Sequence, residues 1–165
     1  MGLLKKVCVY LIVPLVLSCA IFLFVQLPNH SGVQVVSRNY NPVTIKRDKF
    51  GIPTIESKTY RDTLYGLGYA QGQDRLWQTY IKKMLTAGRL SEVLGERTLD
   101  VDKFMRTLSL ERYAKYALDY LDDYTKSLIQ AFCDGVNDAA AHTKVKPLEF
   151  WVSWAQWENY TMVDV

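Results

Sequence analysis

Apolar and polar positions divide the chain into an unbroken apolar run, a short alternating region and a series of helical stripes. The run is Val7 to Leu27 (VCVYLIVPLVLSCAIFLFVQL), 21 positions without a charge. As a helix it spans roughly 31 Å, the hydrocarbon thickness of a bilayer. Lys5 and Lys6 precede it and no charge follows until Arg38. The positive-inside bias then places residues 1–6 in the cytoplasm and the bulk of the chain on the lumenal or extracellular side. Ser18-Cys19-Ala20 is a passable signal-cleavage site, but Ile21 to Val25 stay apolar beyond it. Length therefore favours a single-pass anchor at 7–27 over a cleaved signal peptide. Residues 28–42, rich in Pro, Asn, Ser and Gly, read as a tether.

Alternation at Val43 to Lys46 and at Ile52 to Glu56, with Asp48 and Gly51 between, predicts a β-hairpin. Pro53 makes the second strand an edge or marks its start. Thr59-Tyr60-Arg61-Asp62 fits a capping box and predicts a helix from about Tyr60 to near Gly88. Leu76, Trp77, Tyr80, Ile81, Met84 and Leu85 form its apolar face, with Arg75, Gln78 and Lys82 opposite. Gly66, Gly68 and Gly72 would each cost about 1 kcal/mol there. Either a neighbouring element approaches the backbone closely, or the helix starts only after Gly72.

Arg89 to Gly95 predicts a short helix closed by glycine. Leu99 to Met105 is ambiguous. Leu110, Tyr113, Tyr116, Ala117, Tyr120 and Leu121 form one further stripe. Leu128, Ile129, Phe132, Cys133, Val136 and Ala140 form another, capped by Asp122 or Asp123. A tryptophan-rich segment follows Pro147. Thr161 to Asp164 repeats the capping-box pattern at the end of the sequence, as if announcing a helix. This predicts a piece of a larger domain.

Composition narrows the chemistry. The 165 residues are 49% hydrophobic and 22% charged, with a net charge of +3. No basic stripe supports nucleic-acid binding. Three cysteines, two of them in the apolar run, exclude a disulfide framework, and two histidines exclude a Cys/His zinc site. No serine stands in a G-x-S-x-G elbow, and Gly66-Leu67-Gly68 is not a phosphate loop. Asp122-Asp123 and Asp100/Asp102 read as helix caps and solvated charge. One or both of Asp74 and Arg75 are expected to be buried and partnered within the fold, a structural role. Tyrosine and tryptophan on helical stripes read as core. Asn29 and Asn159 begin N-glycosylation sequons that agree with a lumenal or extracellular location.

Residues 44–95 resemble the opening of the penicillin acylase (penicillin amidase) family of N-terminal-nucleophile hydrolases. The hairpin signature is carried by Arg47, Asp48, Phe50, Gly51, Ile52 and Pro53. The helix signature is carried by Gly66, Gly68, Tyr69, Gln73, Asp74, Arg75, Leu76, Trp77 and Gln78, and a glycine-bounded turn follows from Gly88 to Gly95. Asp102 and Arg106, Gly135 to Asn137, and Pro147 to Phe150 extend the resemblance over about residues 43–165. Thr54 stands where the family often has His.

The resemblance implies an α+β fold: an N-terminal fragment of an αββα N-terminal-nucleophile hydrolase, mainly helical with a small hairpin, preceded by a transmembrane helix. It implies a precursor that cuts itself into an α and a β chain, whose new N-terminal residue attacks linear amides. That nucleophile is typically followed by Asn, and no serine here is. The chain is thus expected to be inactive alone, with no catalytic, substrate-binding or metal residue of its own. Its partners would be the membrane, the rest of the α chain and a β chain. The family often binds calcium, through residues absent here. Arg47, Asp48, Gly51, Pro53, Gly68, Tyr69, Gln73, Asp74, Arg75 and Gln78 would be scaffold, the glycines serving tight helix-on-sheet packing. A membrane-anchored, non-catalytic helical module is the alternative.

Overall fold

The computed structural model describes residues 39–165, together with Tyr10, Val13–Ser18 and Gly32. The predicted anchor at 7–27 and tether at 28–42, with Asn29, therefore lie largely outside the described residues. Among those described, no helix is long and apolar enough to cross a membrane.

Strands β1 (Thr44–Arg47) and β2 (Pro53–Glu56) pair antiparallel, with Ile45 opposite Ile55 and Arg47 opposite Pro53. The Asp48 carboxylate closes the turn by accepting from the N–H groups of Phe50 (2.8 Å) and Ile52 (2.9 Å). Gly51 supplies the positive φ of 80° that the turn requires. Pro53 opens its strand, where a missing N–H costs least.

Helix α1 (Tyr60–Thr86) starts at the predicted cap, with the Thr59 hydroxyl accepting from the Asp62 N–H. It ends in paired bonds from Gly88 to the Leu85 carbonyl and from Arg89 to the Met84 carbonyl, with Gly88 at φ 64°. Its glycine-bearing half is helical, so a start after Gly72 does not occur. Arg75 has non-helical angles, which kink the helix.

Short helix α2 (Ser91–Leu94) is closed by Gly95 as predicted, and a 3-10 turn spans Glu96–Thr98. The ambiguous region forms α3 (Leu99–Leu108), which breaks at Ser109 (φ 57°) into α4 (Leu110–Tyr120). Asp122 caps α5 (Asp123–His142), accepting from the Thr125 N–H at 2.8 Å. Helix α6 (Leu148–Val152) and a 3-10 turn (Met162–Asp164) complete the chain.

Helices α1 and α5 form the principal packing unit. A Cβ at Gly68 would lie 2.1 Å from the Phe132 carbonyl oxygen, and one at Gly135 would lie 2.0 Å from that of Tyr65. The predicted close approach is thus helix on helix for Gly68 and Gly72, not helix on sheet. Gly66 alone meets the hairpin, at Val43 and Ile55. Past the crossing, Leu76, Tyr80, Met84, Leu90, Ala140 and Phe150 form one core cluster.

One expectation is corrected. The α4 stripe is not core: Tyr113, Tyr116 and Tyr120 are 60%, 57% and 89% exposed, while Glu111, Ala114 and Leu118 take the half-buried side. Periodicity marks a face as apolar, but a second element must cover it. The striped Trp77 is core as expected, and the tryptophans of the irregular segment divide. Trp77 and Trp157 pack around Tyr80 and Phe150, whereas Trp151 and Trp154 face solvent.

Candidate functional site

The motif residues converge where the hairpin meets α1. Arg47 projects from the end of β1 with its side chain 10% exposed. It donates to the Gly51 carbonyl (3.0 Å), the Asp74 carboxylate (2.8 Å) and the Gln73 side-chain oxygen (3.3 Å). One planar guanidinium thus ties the hairpin turn to two neighbouring side chains of α1. Asp74 is paired as expected but not buried, and Arg75 and Gln78 are exposed. Arg75 and Gln78 lie on the face opposite Leu76, Tyr80 and Met84, as the periodicity predicts. Tyr69 is buried on the α5 side, its hydroxyl 3.4 Å from His142 Nδ1. Tyr65 and Tyr40 reach Asp138 and Asp134, one and two turns earlier on α5.

Asp62 sits behind this junction, 2% exposed. Its carboxylate accepts from the Thr59 hydroxyl and from the backbone and side-chain N–H groups of Asn41. Burial pushes its pKa up, but the bonds from Thr59 and Asn41 outweigh burial and hold it below the ordinary carboxylate range.

A second cluster organises the turn after α1. The carboxylate of Asp102, 3% exposed, accepts from the N–H groups of Leu90 (2.7 Å) and Ser91 (2.8 Å). It thereby caps α2 from a distance. Burial raises this carboxyl, and the bonds from Ser91 and Leu90 more than offset it, leaving its pKa depressed. One turn on, Arg106 Nε donates to the Gly88 carbonyl at 2.8 Å. The Asp-x-x-x-Arg spacing thus places an acceptor and a donor against the same turn. Arg89 makes paired bonds to Glu158 (2.8 and 2.9 Å) and also binds Glu92. The attraction of Glu158, then Glu92, raises the Arg89 pKa, while Arg89 lowers both carboxylates.

Among the described residues, no serine, threonine or cysteine side chain is hydrogen-bonded to a histidine, and no His/Cys/Asp/Glu group could hold a metal ion. Cys133 is fully buried in α5, and burial pushes its thiol up to about 12, so it is a neutral core residue. Asn159 is exposed. Sequence reasoning missed Lys83 and Glu158, which appear only as ordinary surface charges in the one-dimensional pattern.

Comparison with known proteins accords with this arrangement. The family model described as Penicillin amidase matches residues 42–165. The chain is 36% identical over 112 residues to the acyl-homoserine lactone acylase QuiP of Pseudomonas aeruginosa, covering 68% of this chain and 13% of that protein. It is 30% identical over 142 residues to the penicillin acylase 2 proenzyme of Pseudomonas sp. strain SE83, covering 84% of this chain and 18% of the proenzyme. A thermostable penicillin G acylase from Alcaligenes faecalis superposes with a TM-score of 0.63 at 24% identity, covering 74% of this chain and 67% of that chain. The chain therefore spans only about an eighth to a fifth of the full-length relatives.

Proposed function

The chain belongs to the penicillin amidase family, and on that premise we propose that it is the N-terminal scaffold portion of an acylase that hydrolyses linear acyl C–N bonds, without a nucleophile of its own. The observation that carries the reading is the family match over residues 42–165, in relatives most of whose length lies outside the matched part. In this reading another segment supplies a nucleophile with a free N-terminal amine. The hydroxyl attacks the amide carbonyl as the N-terminal amine takes its proton, the C–N bond breaks and that proton passes to the departing amine, and water then hydrolyses the resulting ester to free the acid and restore the hydroxyl. The substrate class is an acylated amine, the chemistry shared by the two kinds of relative. The proenzyme of one relative, set beside the much shorter solved chain of another, supports a precursor that is divided. The uncharged run at Val7 to Leu27 supports tethering of this scaffold to a membrane.

The test is a hydrolysis assay of the purified 165-residue chain against acyl-homoserine lactones and N-acylated amines. Background rates are expected; turnover that follows the chain through purification would sink the scaffold reading. A second reading, a non-catalytic module that binds a partner, is favoured by Trp151 and Trp154, 61% and 90% exposed. That reading requires residues 39–165 to fold alone as a soluble monomer.

A further inference from the structure

Residues 157–164 have almost no regular structure of their own, only the 3-10 turn at Met162–Asp164, yet side chains from α1, from α5 and from Arg89 hold most of the segment, and α4 packs on its closing turn. Trp157 packs into the core beside Tyr80. Glu158 takes the paired bonds of Arg89. Lys83, its side chain 11% exposed, donates to the Asn159 carbonyl at 2.6 Å and lies 3.3 Å from the Asp164 carboxylate. The Asn137 side chain donates to the Tyr160 carbonyl and accepts from the Tyr160 N–H, both at 2.8 Å, as a paired strand would. The Tyr160 ring is buried against Cys133 and Val136, and its hydroxyl donates to the Asp164 carbonyl. Thr161 and Asp164 close a reciprocal capping box.

Ordering irregular chain is entropically costly, and polar bonds from distant helices repay it only at a defined geometry. A capping box fixes the first turn of a helix and with it the helix axis. We propose that Lys83 and Asn137 are positioning residues: they fix the course of the chain through Tyr160 and Thr161, and so the direction in which the polypeptide leaves the scaffold in an assembled acylase. The proposal rests on the acylase reading above for its consequence, and on the contacts of Lys83 and Asn137 for its mechanism. Those residues act through the segment and touch no reacting group.

Two measurements test it. In the full chain, amide exchange of Tyr160, Thr161 and Asp164 should quicken at least tenfold in Lys83→Met and Asn137→Asp. Exchange at Gly68 to Gly72 should stay unchanged, and Lys83→Arg should retain protection. Unchanged exchange in both variants, or unprotected amides in the native chain, overturns the clamp. In the second, residues 42–165 replace the matching part of the penicillin acylase 2 proenzyme. Lys83→Met and Asn137→Asp should lower kcat at least tenfold in an assembled chimera of unchanged melting temperature, and Lys83→Arg should restore it. An active chimera indifferent to these changes overturns the proposal and leaves the acylase reading standing. A chimera that assembles without activity removes the acylase reading, while the exchange data still decide the clamp.

Discussion

At the residue scale, single atoms decide what each position tolerates. Gly68→Ala would press a methyl against the Phe132 carbonyl, at 2.1 Å, where neither helix can yield alone. Gly66→Ala would instead meet the methyls Val43 Cγ1 and Ile55 Cγ2, at 2.7 and 2.8 Å, and the hairpin can shift. Overpacking of rigid backbone against helical gain predicts a loss of about 3 kcal/mol for Gly68→Ala and no more than about 1 kcal/mol for Gly66→Ala in urea titrations.

Asp102 makes a pH prediction. Its folded pKa is depressed, so its contribution is complete above the unfolded carboxyl value and is lost as pH falls through the lower folded value. Replacing it leaves two backbone donors poorly matched, so Asp102→Asn should cost about 2 kcal/mol near neutral pH. Thermal melts should show that gap narrowing on acidification below about pH 4, the ordinary carboxyl range.

At the element scale, hydrogen-bond geometry fixes the hairpin, and α4 packs against the Met162–Asp164 turn while its tyrosine face stays in solvent. Arg47 links three acceptors with one fork. Arg47→Met should cost about 2 kcal/mol, and Arg47→Lys should recover less than half, since a single ammonium cannot span the turn carbonyl and both α1 side chains. Denaturant midpoints of the three proteins check this. For α4, the double change Tyr113→Ser and Tyr116→Ser should cost less than about 1 kcal/mol in the isolated chain, because both rings are already in water. A core stripe would lose several times that in the same titration.

At the scale of the whole molecule, α1 and α5 form the principal packing unit, and Cys133 of α5 is buried with Val136 and Tyr160. The thiol has no exposed surface and is pushed up to about 12. Alkylation at Cys133 should therefore proceed only through global opening, and its rate, followed by peptide mass spectrometry, should rise in step with the destabilisation caused by Gly68→Ala. The tyrosine face of α4, Trp151 and Trp154 leave apolar surface uncovered on a chain that matches 13% of its acyl-homoserine lactone acylase relative.

The local signals were legible because they are local. Thr59 and Asp122 announce their helices through short-range capping, Asp48 and Gly51 specify a turn within five residues, and Gly88 and Gly95 end helices by accepting positive φ. The motif from Gly66 to Gln78 was sufficient to indicate the family. Glycine spacing even foretold a close approach in α1, but not that a second helix would make it. Only the tertiary structure decided that α5 fills that role, that Asp74 lies at the surface, that α4 keeps its tyrosines in solvent, and that Lys83 and Asn137 hold the chain at Tyr160. Those outcomes depend on contacts between residues far apart in the chain, and periodicity records which face is apolar without recording what arrives to cover it.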